Sequence, residues 1–203
     1  MRKLVHIRAR SWALGAVVAL GATLVLLVAL PSSAAGGAQH VRWDIISLTG
    51  GAPPGPINAG GHASATAANG GDTITLTGSG TFVGPASGGG SSGATGGGTW
   101  TTSSGGSGTY EVTSLVGWVS AGPQTGSPFV DQIDEGTATN GAAVLKVAFS
   151  DGSQGVLTVG CHGPGAPAGI FEGIATTKGF KTYYIVQPPA AGVDANRTIF
   201  HVR

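Results

Sequence analysis

Apolar and polar residues alternate with period two along most of the chain after residue 40, which is the pattern of half-buried β-strands. The clearest run is "TYEVTSLVGWVS", residues 109–120, where period two places Tyr110, Val112, Val116 and Trp118 on one face. "VRWDIISLT", 41–49, predicts an earlier strand, followed by the loop "GGAPPGPINAGG", whose prolines are unsuited to a central strand. "HASATAA", 62–68, and "DTITLTG", 72–78, flank "NGG" and predict a hairpin, because Asn and Gly accept the positive φ of tight turns. "TWTT", 99–102, adds a short candidate strand.

Beyond residue 142 the pattern predicts a meander of "AVLKVAFS", "SQGVLTVGC", "GIFEGIATT", "FKTYYIVQ" and "RTIFHV". Its first turn contains Asp151-Gly152, read as a two-residue hairpin with Ser150 opposite Ser153. That register puts Leu145, Val147 and Phe149 on one face with Val156, places Val144, Lys146, Val159 and Cys161 on the other, and sets Cys161 opposite Ala142. Nine or ten short strands without an amphipathic helix predict an all-β domain, an antiparallel β-sandwich or alternatively a closed β-barrel.

Composition changes this picture at both ends of the scale. Charged residues make up only 9% of the 203 and glycines number 38, so solubility rests on Ser, Thr, Asn and Gly. The Gly/Ser-rich stretch 85–108 is expected to be flexible coil, since it carries few groups to offset the entropy of ordering. At the N-terminus, "MRKLVHIRAR" is basic, the run from Trp12 to Leu30 is uncharged and "PSSAA" comes next. This order predicts a secretory signal peptide over 1–35, an N-terminal apolar signal helix cleaved after Ala35 or, second, after Ala38. The alternative is a retained signal anchor, because an apolar run of this length suits a bilayer span. The single all-β domain is then 36–203.

Removing the four basic residues Arg2, Lys3, Arg8 and Arg10 takes the formal charge from +1 to −3. A mildly acidic surface without a Lys/Arg cluster lacks the footprint of nucleic-acid binding. One cysteine permits no internal disulfide, so stability must come from packing.

Chemistry-bearing positions are few. Gly89, Ser91 and Gly93 match G-x-S-x-G, and Gly88, Gly90 and Gly93 match G-x-G-x-x-G, but neither has the strand-turn-helix context its chemistry needs. Asp131, Asp134 and Glu135 are candidate ligands for a hard cation, although the EF-hand spacing fails at Ile133, and a solvated loop is the competing reading. "NRT", 196–198, is a formal glycosylation acceptor that implies surface exposure.

Cys161 and His162 offer a thiol and an imidazole, a pair suited to nucleophilic catalysis or to zinc. Adjacent strand residues point to opposite faces, so they meet only if "HGPG" bends the chain. A metal would need two further ligands from His40, His62, His201, Asp131 or Glu172. The expected role of Cys161 is a buried structural thiol at a strand end. Glu172 is a candidate acid or base if it faces a lumen and an ordinary edge charge if it faces solvent.

No cofactor is expected. The sequence predicts an exported, non-enzymatic binding or structural module of the cell envelope or exterior, with an extracellular ligand as partner. The alternative is a small β-barrel enzyme or ligand carrier whose polar lumen includes Glu172, Tyr183 or His162, recognisable by a cavity of ~300 Å³ or more.

Overall fold

In a computed structural model of the chain, residues 38–48, 55–68, 70–84, 93–133, 135–189 and 195–203 are described. The predicted signal helix, the G-x-S-x-G serine and Asp134 lie outside them. The described residues are all-β and contain no helix.

Thirteen strands lie among the described residues: β1 (Gln39–Leu48), β2 (Pro56–Ala59), β3 (Ala63–Ala67), β4 (Thr73–Leu76), β5 (Ser79–Gly84), β6 (Thr95–Thr102), β7 (Ser107–Pro123), β8 (Val130–Asp131), β9 (Thr137–Phe149), β10 (Gln154–Cys161), β11 (Gly173–Lys178), β12 (Lys181–Val186) and β13 (Thr198–Val202). All pair antiparallel except β2 with β8. Neighbours run β10-β11-β12-β3-β4-β6-β7-β9, and β9 pairs back to β10, so eight strands form a closed circuit of hydrogen-bonded pairs. A second circuit leaves β9 through β13, β1 and β5 and rejoins at β6.

The β9–β10 hairpin differs from its expected register by one residue. Phe149 N–H donates to Ser153 O at 2.8 Å, and Gly152 takes φ +85°, which makes Ser150-Asp151-Gly152 a three-residue loop with glycine in the left-handed position. Gln154 therefore faces Ala148, Leu157 faces Leu145, and Cys161 faces Gly141 rather than Ala142. A one-residue slip moves every side chain of a strand to the other face. Leu157, Val159 and Cys161 thus join Leu145, Val147 and Phe149 in the core, while Val156 turns to the outer side with Lys146.

Strand β7 departs from strict period two. Tyr110 and Val112 face inward, but register shifts between Val112 and Ser114 and between Leu115 and Gly117 turn Leu115 into the core and leave Val116 40% exposed. Such bulges insert an unpaired residue and re-aim the side chains beyond it. Trp118 is thereby set opposite Ala143 and packs edge-on against Phe82 and Phe200, with ring centroids at 5.3 and 4.6 Å.

The Gly/Ser stretch is the largest departure. Its described part, 93–108, is not coil: β6 pairs with β4, β5 and β7. Here glycine serves close approach, since a Cβ on Gly98 would lie 2.0 Å from the Thr77 carbonyl oxygen. Trp100 anchors the strand from within, its indole N–H donating to Thr109 O at 3.1 Å and the Lys178 ammonium standing 4.1 Å from its ring centroid.

The circuits share one core. Strands β1 and β13 bury residues on both faces, with Trp43 and Phe200 on one and Asp44 and His201 on the other. On the His201 side, its Nε2 meets Asp131 Oδ2 of β8 at 2.6 Å. On this side Ile57 of β2 and Phe129, just before β8, line one wall of the site.

Candidate functional site

Strand β10 ends at Cys161, and the "HGPG" bend leads into a loop that returns to β11 through Glu172. Buried Asn140 of β9 pins the bend: its Oδ1 accepts from Gly163 N–H at 2.7 Å and its Nδ2 donates to Pro164 O at 3.2 Å. Thr125 N–H adds a bond to Pro164 O at 3.0 Å. The loop is therefore tied to two neighbouring elements rather than hanging free.

Glu172 is half-buried and is not the solvent-facing edge charge of the competing reading. Its Oε2 accepts from His162 N–H and its Oε1 from Thr198 N–H, both at 2.6 Å, so the carboxyl fastens the end of β10 to the start of β13. Burial pushes this carboxyl up to about 7, against the opposing pull of the two N–H groups and of Arg197.

Beside it opens a cavity of about 440 Å³. One wall is apolar, formed by Ile46, Leu48, Ile57 and Phe129; the other carries Gln124, Cys161, His162, Glu172 and Arg197. Cys161 points inward and is 1% exposed, whereas His162 is exposed and its Nδ1 lies 2.7 Å from Ile170 O. A carbonyl accepts only, so Nδ1 is the donor in this contact. The thiol accepts a 3.3 Å bond from Gln124 Nε2, and burial together with nearby Glu172 pushes its pKa up, which keeps it protonated and unreactive. Cys161 and His162 both border the cavity but form no nucleophile–base pair.

Arg197 carried no signal in the sequence. It comes directly after Asn196, which sits at φ 61°, the left-handed region that Asn tolerates better than most residues. Asn196 is fixed there because its Oδ1 accepts from Ser64 N–H at 2.8 Å and its Nδ2 donates to Pro188 O at 3.2 Å. Half-buried and bonded at both ends of its amide, Asn196 does not present the free surface side chain implied by the glycosylation pattern. The Arg197 Nε is buried and has no hydrogen-bond partner.

Two of the acidic candidates, Asp131 and Glu135, are paired within the chain. Asp131 meets His201, and Glu135 bridges Arg42, at 2.5 Å, and Arg203. His40 and His62 are exposed and stand outside the cavity lining. Among the described residues no group of three or more His, Cys, Asp or Glu side chains is placed to hold a metal ion. Tyr183 does point inward, but its hydroxyl donates to Asp72 at 2.8 Å, away from this cavity.

The chain matches no family model, no curated protein and no solved structure. Function is therefore read from the cavity and its chemistry.

Cys161→Ser is expected to cost about 1–3 kcal/mol, because a hydroxyl at a position only 1% exposed gives up hydration that the weakly polar thiol does not need. Thiol-reagent labelling should be slow in native protein and fast after denaturation. Fast native labelling would show that the thiol is accessible and that burial does not control it.

Proposed function

We propose that this protein is an exported, non-enzymatic binding module that takes a small amphipathic molecule in the cavity between "HGPG", Glu172 and Arg197. The cavity carries the reading: about 440 Å³, one apolar wall and a few polar groups, which is the usual make-up of a small-molecule site. The closed circuit β3-β4-β6-β7-β9-β10-β11-β12 favours a barrel over a sandwich as the scaffold. The cavity opens beside the end of β10 and the start of β13. The two N–H bonds that Glu172 accepts across the end of β10 and the start of β13 support a fastening role for this carboxyl, which the binding reading uses.

Export is inferred from the basic, apolar and small-residue order of residues 1–35, and the location proposed is the exterior or the cell envelope. Retention of that segment would instead anchor the domain to a membrane. Mass spectrometry of the native product should find Gly36 or, for the second site, Gln39 at the N-terminus.

Binding is tested by calorimetric titration with octanoate, 1-octanol and octylamine, in the wild type and in Ile57→Trp, which fills the apolar wall. At least one probe should bind the wild type and lose about tenfold or more in Ile57→Trp. Failure of all three, or equal affinity for both proteins, would overturn the reading.

A further inference from the structure

We propose that the cavity is a carboxylate site in which the Arg197 guanidinium receives the carboxylate of a ligand whose hydrocarbon part lies along Ile46, Leu48, Ile57 and Phe129. This rests on the binding role proposed above and names its ligand class.

Three observations converge on Arg197. Arg197 borders the cavity, and its Nε has no hydrogen-bond partner, so that donor is not committed to an acceptor of the chain. The nearby acid does not meet that donor: the two oxygens of Glu172 accept from His162 and Thr198 N–H, and no Arg197–Glu172 ion pair forms within 4.0 Å among the described residues. The backbone before Arg197 is held in a left-handed conformation by the bonds of Asn196 to Ser64 and Pro188, and Ile46 N–H fixes the Arg197 carbonyl at 3.0 Å. These bonds fix where the Arg197 side chain leaves the backbone. The planar guanidinium fork matches a carboxylate in two bonds.

The apolar wall selects the rest of the ligand. Ile46, Leu48 and Ile57 are each about 5% exposed or less, yet border the cavity, so they present hydrocarbon to whatever enters. Simple inorganic anions offer nothing to that wall. A monocarboxylate with an aliphatic or aryl body satisfies both sides.

Octanoate and 1-octanol share a chain and differ in the head group, and octylamine reverses its charge. In the wild type octanoate should bind about tenfold or more tighter than 1-octanol, with octylamine weakest. Arg197→Gln should bring octanoate down to the affinity of 1-octanol while leaving 1-octanol unchanged, and Arg197→Lys should restore part of the difference. The wild-type comparison holds even if a variant misfolds, which far-ultraviolet circular dichroism reveals. Equal wild-type affinity for octanoate and 1-octanol, or undiminished octanoate binding in folded Arg197→Gln, would overturn the carboxylate assignment while the binding role stands. Loss of binding by all three probes would instead remove the binding role itself.

Discussion

Gly96→Ala is expected to lower the melting temperature by about 10 °C or more, corresponding to roughly 3–5 kcal/mol in a chain of this size. Two effects act together at this position. Gly96 sits at φ +121°, which side-chain-bearing residues rarely adopt, and a Cβ there would lie 2.2 Å from Ser79 O and 2.5 Å from Gly80 Cα. The obstacles are backbone atoms of β5, so no side chain can turn aside, and the Gly80–Gly96 pairing has to open. Gly105→Ala is the control: its φ is +100°, but nothing lies within 4 Å of the added methyl. It should cost only the conformational strain, about 1 kcal/mol. Thermal melts of both variants decide the matter, and equal shifts would show that close approach between β5 and β6 is not what the glycine serves.

That experiment bears on why 93–108 was not legible. A composition of Gly, Ser and Thr has two physical readings, a flexible linker or strands packed backbone to backbone, and only the neighbours distinguish them. The all-β antiparallel character was legible because period two is a local property, as in Tyr110 and Val112. Register was not, since it depends on whether Asp151-Gly152 closes two residues or three, and one residue reversed both faces of β10. Bulges hid Leu115 for a similar reason: the inserted residues leave no compositional mark.

The site was legible only in part. Cys161, His162 and Glu172 stood out as rare chemical groups, and all three border the cavity. Their individual roles are set by long-range bonds that sequence spacing does not display, such as Glu172 to Thr198 and Asn140 to Gly163. Arg197 lay inside an apparent glycosylation pattern, and nothing in its neighbours announced a cavity-lining arginine whose Nε lacks an acceptor.

Stability is expected to decline as pH rises from about 4.5 through about 7, and Glu172 is the cause. In the unfolded chain its carboxyl ionises near the ordinary value of 4.5, while burial in the folded protein holds the proton up to about 7. Between these values the folded state binds more protons, so raising the pH favours unfolding. The stabilisation is complete below 4.5 and lost above 7, a span of roughly 3 kcal/mol. Asp72 acts in the opposite sense. The Lys181 ammonium and the hydroxyls of Ser103, Tyr183 and Ser104 hold it well below the usual carboxylate range, so its contribution disappears as acid protonates it. The two trends place maximum stability in weak acid. Denaturant midpoints across pH in the wild type and in Glu172→Gln separate them, because the variant cannot titrate at that position. Its amide turns an NH2 toward one of two N–H donors, which costs about 1–3 kcal/mol at every pH. The variant should nevertheless lose the decline toward neutral pH and keep the acid limb. An unchanged slope between pH 4.5 and 7 would show that Glu172 is already ionised in the folded protein, held by the N–H groups of His162 and Thr198.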